Sequence, residues 1–253
     1  MINFTQKEHY SYEDLLALVR VLRAPDGCPW DSVQDHHSIR RCFLEEVAEV
    51  CEAIDCDDAD HLREELGDVL YQVVFHADLE REAGRFGMPE VIDDVCKKLI
   101  ARHPALFAPD FDESVTTADS ALATWEAQKR RLNGYATTTE SMQAVCRTLP
   151  ALWRAEKLRN KAAGAGYGTA SAAEAADRLA RQTDKNALTQ EDTAQQALGE
   201  LLFAAVDLAA HLHVDPESAL HAACESYIRR FAAAESAAND GEINKTKEKR
   251  ILL

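Results

Sequence analysis

Residues 44–70 read LEEVAEVCEAIDCDDADHLREELGDVL, and the fold turns on this stretch. Leu44, Val47, Val50 and Ile54 recur at helical spacing. So do Leu62, Leu66, Val69, Leu70 and Val73. The polar break at Asp55–Asp60 leaves room for one helix to end and an antiparallel one to return. Positions three and four apart share a helix face. Glu46 with Glu49, and Glu65 with Asp68, therefore form two acidic pairs facing each other across a hairpin. Like charges gathered in a partly desolvated groove repel unless a cation sits between them. An all-oxygen donor set suits a hard divalent ion, Mg²⁺ above all. The competing reading is a pair of solvated Glu-rich faces, the usual fate of a charge run.

The 253 residues suffice for one large domain or two modest ones. Gly and Pro are scarce, at 10 and 7, while Ala, Leu, Glu and Arg abound, which favours helix over sheet. A net charge of −16 argues against binding polymeric nucleic acid along its backbone. It does not argue against a nucleotide held through a metal. The seven cysteines are odd in number and show no CxxC spacing, which fits reduced cytosolic thiols better than a disulfide framework or a zinc site. Met1–Tyr10 is polar, so no signal peptide is expected. No apolar run approaches the ~18 residues of a membrane span. The expectation is a cytoplasmic protein without a membrane partner.

Ser11 and Asp14 predict a capped first helix to about Ala24, before the turn-rich PDGCPWD at Pro25–Asp31. Helices are predicted from about His37 to Ile54, from an Asp58 or Asp60 cap to Ala83, and from Pro89 to Arg102. His103–Thr117 reads as a loop, and Asp119 as the cap of a helix to Arg131. Beyond a 132–148 linker, helices are predicted at Leu149–Ala163, Ser171–Thr183, Asp192–Leu212 and Asp215–Ala238, then a frayed basic tail over 239–253. GAGYG at Gly164–Gly168 follows a helix rather than a strand and lacks a GKS or GKT, so it reads as a helix C-terminus and turn.

The second half echoes the first. Leu66-Gly67-Asp68-Val69-Leu70-Tyr71 lines up with Leu198-Gly199-Glu200-Leu201-Leu202-Phe203. Pro89-Glu90 lines up with Pro216-Glu217, and Ile100-Ala101-Arg102 with Ile228-Arg229-Arg230. This reads as a tandem duplication, 1–131 and 149–238. The chemistry is not duplicated. Ala197 stands at the place of Glu65, and the helix around Glu174 and Asp177 has no EExxE. The second site reads as degenerate, with Glu200 a relic.

EEVAE at Glu45–Glu49 followed by ELGD at Glu65–Asp68 resembles the EExxE…ExxD signature of the all-α nucleoside triphosphate pyrophosphohydrolases, and more specifically the MazG family. GCPWD at Gly27–Asp31, LREELGDVLYQVVFHA at Leu62–Ala77 and KKLIARHPALF at Lys97–Phe107 extend the likeness in order. LPALWRAEKLRNKAAGAGY at Leu149–Tyr167 resembles the second repeat of two-repeat members. The resemblance implies hydrolysis of nucleoside triphosphates to monophosphate and pyrophosphate, in the manner of nucleotide-pool housecleaning. It implies Mg²⁺, with Mn²⁺ as the alternative ion. Carried over by position, Glu46, Glu49, Glu65 and Asp68 are metal ligands. Glu45 is the neighbouring carboxylate for a second ion or for water, and Glu45 and Glu49 are the catalytic candidates. The resemblance also implies an all-α homodimer with a four-helix core at each site.

Cations should complete such a site. Lys98 and Arg102 lie four apart, a suitable clamp for phosphate oxygens or else a solvated face. Arg40, Arg41 and Arg63 are near the acidic pairs in sequence and either meet substrate or salt-bridge the acids; Arg63 is the substrate-binding candidate. Trp30 either stacks on the base or caps the core. His36, His37, His76 and His103 form no ExxH with the acids, which disfavours a di-iron bundle. The rival function is a catalytically weak or silent nucleotide-binding protein.

Overall fold

The computed structural model describes residues 4–107, 115–183, 188–189 and 191–251, with backbone alone for Glu191 and beyond Ser236. Every regular element among them is helical. The chain divides into two units, Met1–Lys129 and Arg130–Leu253.

In the first unit α1 spans Tyr12–Arg23, α2 Arg40–Asp55, α3 Ala59–Glu82, α4 Met88–Arg102, α5 Pro104–Phe107 and α6 Ala118–Leu132, the last running through the unit boundary. The capping box at Ser11 and Asp14 starts α1 as expected: the Ser11 amide donates to the Asp14 carboxylate at 2.9 Å. Asp58 caps α3 by accepting from the Asp60 and His61 amides. Pro89 sits in the first turn of α4. Two details differ from expectation. Thr117, not Asp119, caps α6, its hydroxyl accepting from the Ser120 amide at 3.2 Å, because it stands three residues before that donor. Within the expected loop, Pro104–Phe107 closes one helical turn on the His103 carbonyl; residues 108–114 lie outside the described chain.

Val19, Ile39, Val74, Phe75, Ala77 and Met88 form the core, with Leu15, Leu16, Tyr71 and Leu79 packed on it. It is therefore built by α1, Ile39 at the entry to α2, the C-terminal half of α3 and the start of α4. Arg23 is buried in it, lies over the Phe75 ring, and donates to the Glu82 carboxylate and the Asp31 carbonyl. That bond, with a Tyr71 hydroxyl donating to Asp31, moors the PDGCPWD loop. Burial beside Asp31 pushes the Tyr71 hydroxyl well above its usual pKa. Gly27 is required here: a Cβ would come within 2.2 Å of the Val21 carbonyl oxygen and 2.6 Å of that of Leu22.

The α2–α3 hairpin forms as the sequence predicts, but only part of its apolar surface is covered. Val50, Leu62, Val69 and Val73 are half-buried, while Leu44, Val47, Ile54, Leu66 and Leu70 are exposed. The reason is positional. The core gathers below the hairpin, and the hairpin's upper half has only its own two helices to pack.

In the second unit α7 spans Thr138–Gln143, α8 Ala151–Ala163, α9 Ala172–Arg181, α10 Glu191–His211 and α11 Pro216–Ile251. α7 lies within the stretch expected as a linker and packs on α8, where Lys161 donates to Ser141 at 2.6 Å. α10 packs against α8 and α9. α11 continues past Ala238 through the segment expected to fray, since no proline interrupts it; the side chains of that tail lie outside the description. Among the described residues no single helix is long and apolar enough to cross a membrane.

Candidate functional site

The α2–α3 hairpin brings Glu46, Glu49 and Glu65 together: one ligand oxygen from each lies within 4.8 Å of the others. Glu65 is buried, Glu46 half-buried and Glu49 exposed, so the group opens to solvent on one side. Asp68 is exposed at its edge, and its charge acts on both Glu46 and Glu65. Burial, then the charges of Asp68 and Glu49, raise the Glu46 carboxyl above its ordinary range. Burial and Glu49 do the same to Glu65, with His61 opposing. Glu46 and Glu65 thus hold protons more readily than isolated carboxylates would. Glu65 Oε2 is buried with no hydrogen-bond partner. An orphaned carboxylate oxygen beside like charges is costly, and a hard divalent ion removes that cost. The donor set fits such an ion.

His61 was not among the sequence candidates. Its Nε2 lies 3.0 Å from Glu65 Oε1, holding one oxygen of that carboxylate while Oε2 stays free. The signal was present in the i, i+4 spacing of His61 and Glu65.

The other candidates stand outside the group. Glu45 is turned to Arg41, which donates to it at 2.7 Å on the exposed side of α2. Arg63 pairs with Asp60 at 3.0 Å. Lys98 is exposed on α4. Arg102 is half-buried, its guanidinium 5.1 Å over the Trp125 ring. Trp30 is 56% exposed. His36 and His76 meet each other instead, with Nδ1 atoms 2.8 Å apart, and His36 Nε2 reaches Glu80 at 2.6 Å.

In the second unit Glu200 and Asp177 are exposed, and Glu174 accepts from the Ala170 amide at 2.8 Å. No second carboxylate group of this kind occurs among the described residues.

Residues 34–107 match the model of the MazG nucleotide pyrophosphohydrolase domain, and that span contains the whole acidic group. The nucleoside triphosphate pyrophosphohydrolase of Escherichia coli strain K12 is 36% identical over 228 residues, 87% of this chain and 86% of the relative. The chain belongs to the MazG family. The Thermotoga maritima nucleoside triphosphate pyrophosphohydrolase/pyrophosphatase MazG is 34% identical over 226 residues, 88% of this chain and 85% of its own. A nucleoside triphosphate pyrophosphohydrolase of Mycolicibacterium smegmatis is 40% identical over 155 residues, 60% of this MazG chain.

Proposed function

We propose that this MazG chain hydrolyses nucleoside triphosphates to nucleoside monophosphate and pyrophosphate at the acidic group of its first unit. Mg²⁺ is the proposed ion and Mn²⁺ the alternative. The observation that carries this reading is the convergence of Glu46, Glu49 and Glu65, with Asp68 at the edge and one buried carboxylate oxygen unpartnered.

These four residues would hold the ion. When bound, it supplies the positive charge that a triphosphate needs to approach an acidic groove and react there. The remaining work belongs to the chain. Glu49, exposed to solvent, is the proposed acceptor of a proton from attacking water. Glu45 joins it once it leaves Arg41, a trade between exposed partners that costs little. Lys98, Arg102 and Arg63 are the proposed phosphate contacts, and Trp30 the proposed base contact. Arg102 would serve with its guanidinium already oriented by Trp125.

The exposed Leu44, Val47, Leu66 and Leu70 beside the acids support a homodimer in which a second hairpin covers them. Seven free cysteines support a reduced, cytoplasmic setting.

Phosphorus NMR of a nucleoside triphosphate incubated with the protein tests the reaction. Monophosphate and pyrophosphate should appear with Mg²⁺ and not with EDTA. Diphosphate and orthophosphate, or no turnover across a panel of ribo- and deoxyribonucleotides, would overturn it.

A further inference from the structure

The loop that carries Trp30 is moored more firmly than a surface turn requires. Arg23, itself buried, donates to the Asp31 carbonyl at 2.9 Å and to the Gln34 carbonyl at 3.3 Å. Gln34 Nε2 donates to the Trp30 carbonyl at 2.9 Å, and the Cys28 amide to the Leu22 carbonyl at 2.8 Å. Asp31–Val33 closes a single 3-10 turn directly after Trp30. The Asp31 carboxylate is buried as well, and it accepts from the Tyr71 hydroxyl at 3.1 Å. Burial and the Asp31 charge both keep that hydroxyl protonated, as a donor must be.

None of these bonds is made by the Trp30 indole, which is exposed. An indole that capped the core would be covered by it. This one stands in water on a backbone held before and after it. Burying a carboxylate and a guanidinium costs free energy. Here the result is a large flat ring whose backbone is ordered before anything binds, which lowers the entropy cost of capturing a ligand.

The side chains that hold the loop differ in origin. Arg23 belongs to α1 and Gln34 to the loop itself. Tyr71 alone comes from α3, the helix that carries Glu65 and Asp68. It stands three residues after Asp68, about one helical turn. Its ring meets the core residue Phe75 edge-on, with centroids 5.7 Å apart, so the tyrosine is itself fixed.

We propose that Tyr71 is a positioning residue for nucleoside triphosphate binding: through Asp31 it fixes Trp30 relative to Glu65 and Asp68, and so sets the span between base and triphosphate. This role rests on the reading in which the acids hold the ion and Trp30 meets the base. Tyr71 touches no substrate. It acts on binding rather than on the reaction, so its loss falls on KM. A purely structural role would lower the folded fraction, and with it kcat, at constant KM.

The test is steady-state hydrolysis, with Mg²⁺, of a panel of ribo- and deoxyribonucleoside triphosphates by wild type, Tyr71→Phe, Trp30→Ala and the double variant. Tyr71→Phe keeps the ring against Phe75 and removes only the hydroxyl, so its circular dichroism spectrum should match wild type. It should raise KM about three- to tenfold, the range of one lost hydrogen bond, and leave kcat within about twofold. Trp30→Ala should raise KM about tenfold through lost stacking. The double variant should have the KM of Trp30→Ala alone, because the hydroxyl acts only through the ring. Tripolyphosphate, which has no base, should inhibit wild type and Tyr71→Phe equally. An unchanged KM in Tyr71→Phe, a loss carried by kcat, effects that add in the double variant, or equally weakened tripolyphosphate inhibition would overturn the positioning role alone. No turnover by wild type, or an unchanged KM in Trp30→Ala, would overturn the reading beneath it and the role together.

Discussion

At the scale of the residue, His61 supports one oxygen of the proposed ligand Glu65 and leaves the other free. One oxygen is held by His61 at 3.0 Å, and the other is buried and unpartnered. Outer partners of this kind typically change metal affinity by about 10–100-fold. His61→Ala should therefore weaken Mg²⁺ or Mn²⁺ binding, by calorimetry, about tenfold, and His61→Gln should restore most of it. The histidines at the other end of α3 predict a pH effect. Burial and His36 lower the pKa of His76, so the folded chain binds that proton less readily than the unfolded chain. The stability it contributes is present above the ordinary imidazole value of about 6.5 and lost as pH falls below it. Arg85, with help from His36, holds Glu80 down to about 2, so its contribution is lost only in stronger acid. Glu46 and Glu65, with raised values, change stability in the opposite sense. The difference between chains isolates the effect: from pH 7 to 5, His76→Gln should lose less melting temperature than wild type. Of these residue-level features, the carboxylates were legible in the sequence because their spacing alone sets a common face. His61 and the Arg41–Glu45 pair were less so, because several basic residues lie within reach of the acids and only side-chain conformation chooses among them.

At the scale of the element, helices were legible wherever apolar period and cap agreed. α1, α3 and α4 begin where Ser11, Asp58 and Pro89 say they should. Where two cap residues compete, as Thr117 and Asp119 do, composition does not decide; the chosen cap is the one three residues ahead of a free amide. The tight turn after α1 carries its own requirement. Gly27→Ala would place a methyl group against two backbone carbonyls, and thermal melts should show a loss of about 1–3 kcal/mol. Asp58→Ala should cost about 1 kcal/mol by removing the α3 cap. It should also weaken metal binding, since the His61 amide is one of the two that Asp58 holds.

At the scale of the molecule, the chain divides into two helical units that present different side chains. The first unit gathers Glu46, Glu49 and Glu65 on the α2–α3 hairpin, with Asp68 at the edge; the second places Arg178 and Arg181 on α9. The sequence reads as a duplication because the apolar frame Leu66–Tyr71 recurs at Leu198–Phe203. The uncovered apolar face of the α2–α3 hairpin belongs to this scale too. Light scattering should give the mass of two chains for wild type and of one for Leu66→Glu; a wild-type mass of one chain would rule out the homodimer. The assignment of chemistry to the first unit is tested most directly by pyrophosphate release measured side by side for wild type, Glu49→Ala and Glu200→Ala with Mg²⁺. Glu49→Ala should lose about a hundredfold or more, as when a group that stabilises developing charge is removed, and Glu200→Ala should match wild type. Undiminished release by Glu49→Ala, or loss confined to Glu200→Ala, would contradict it.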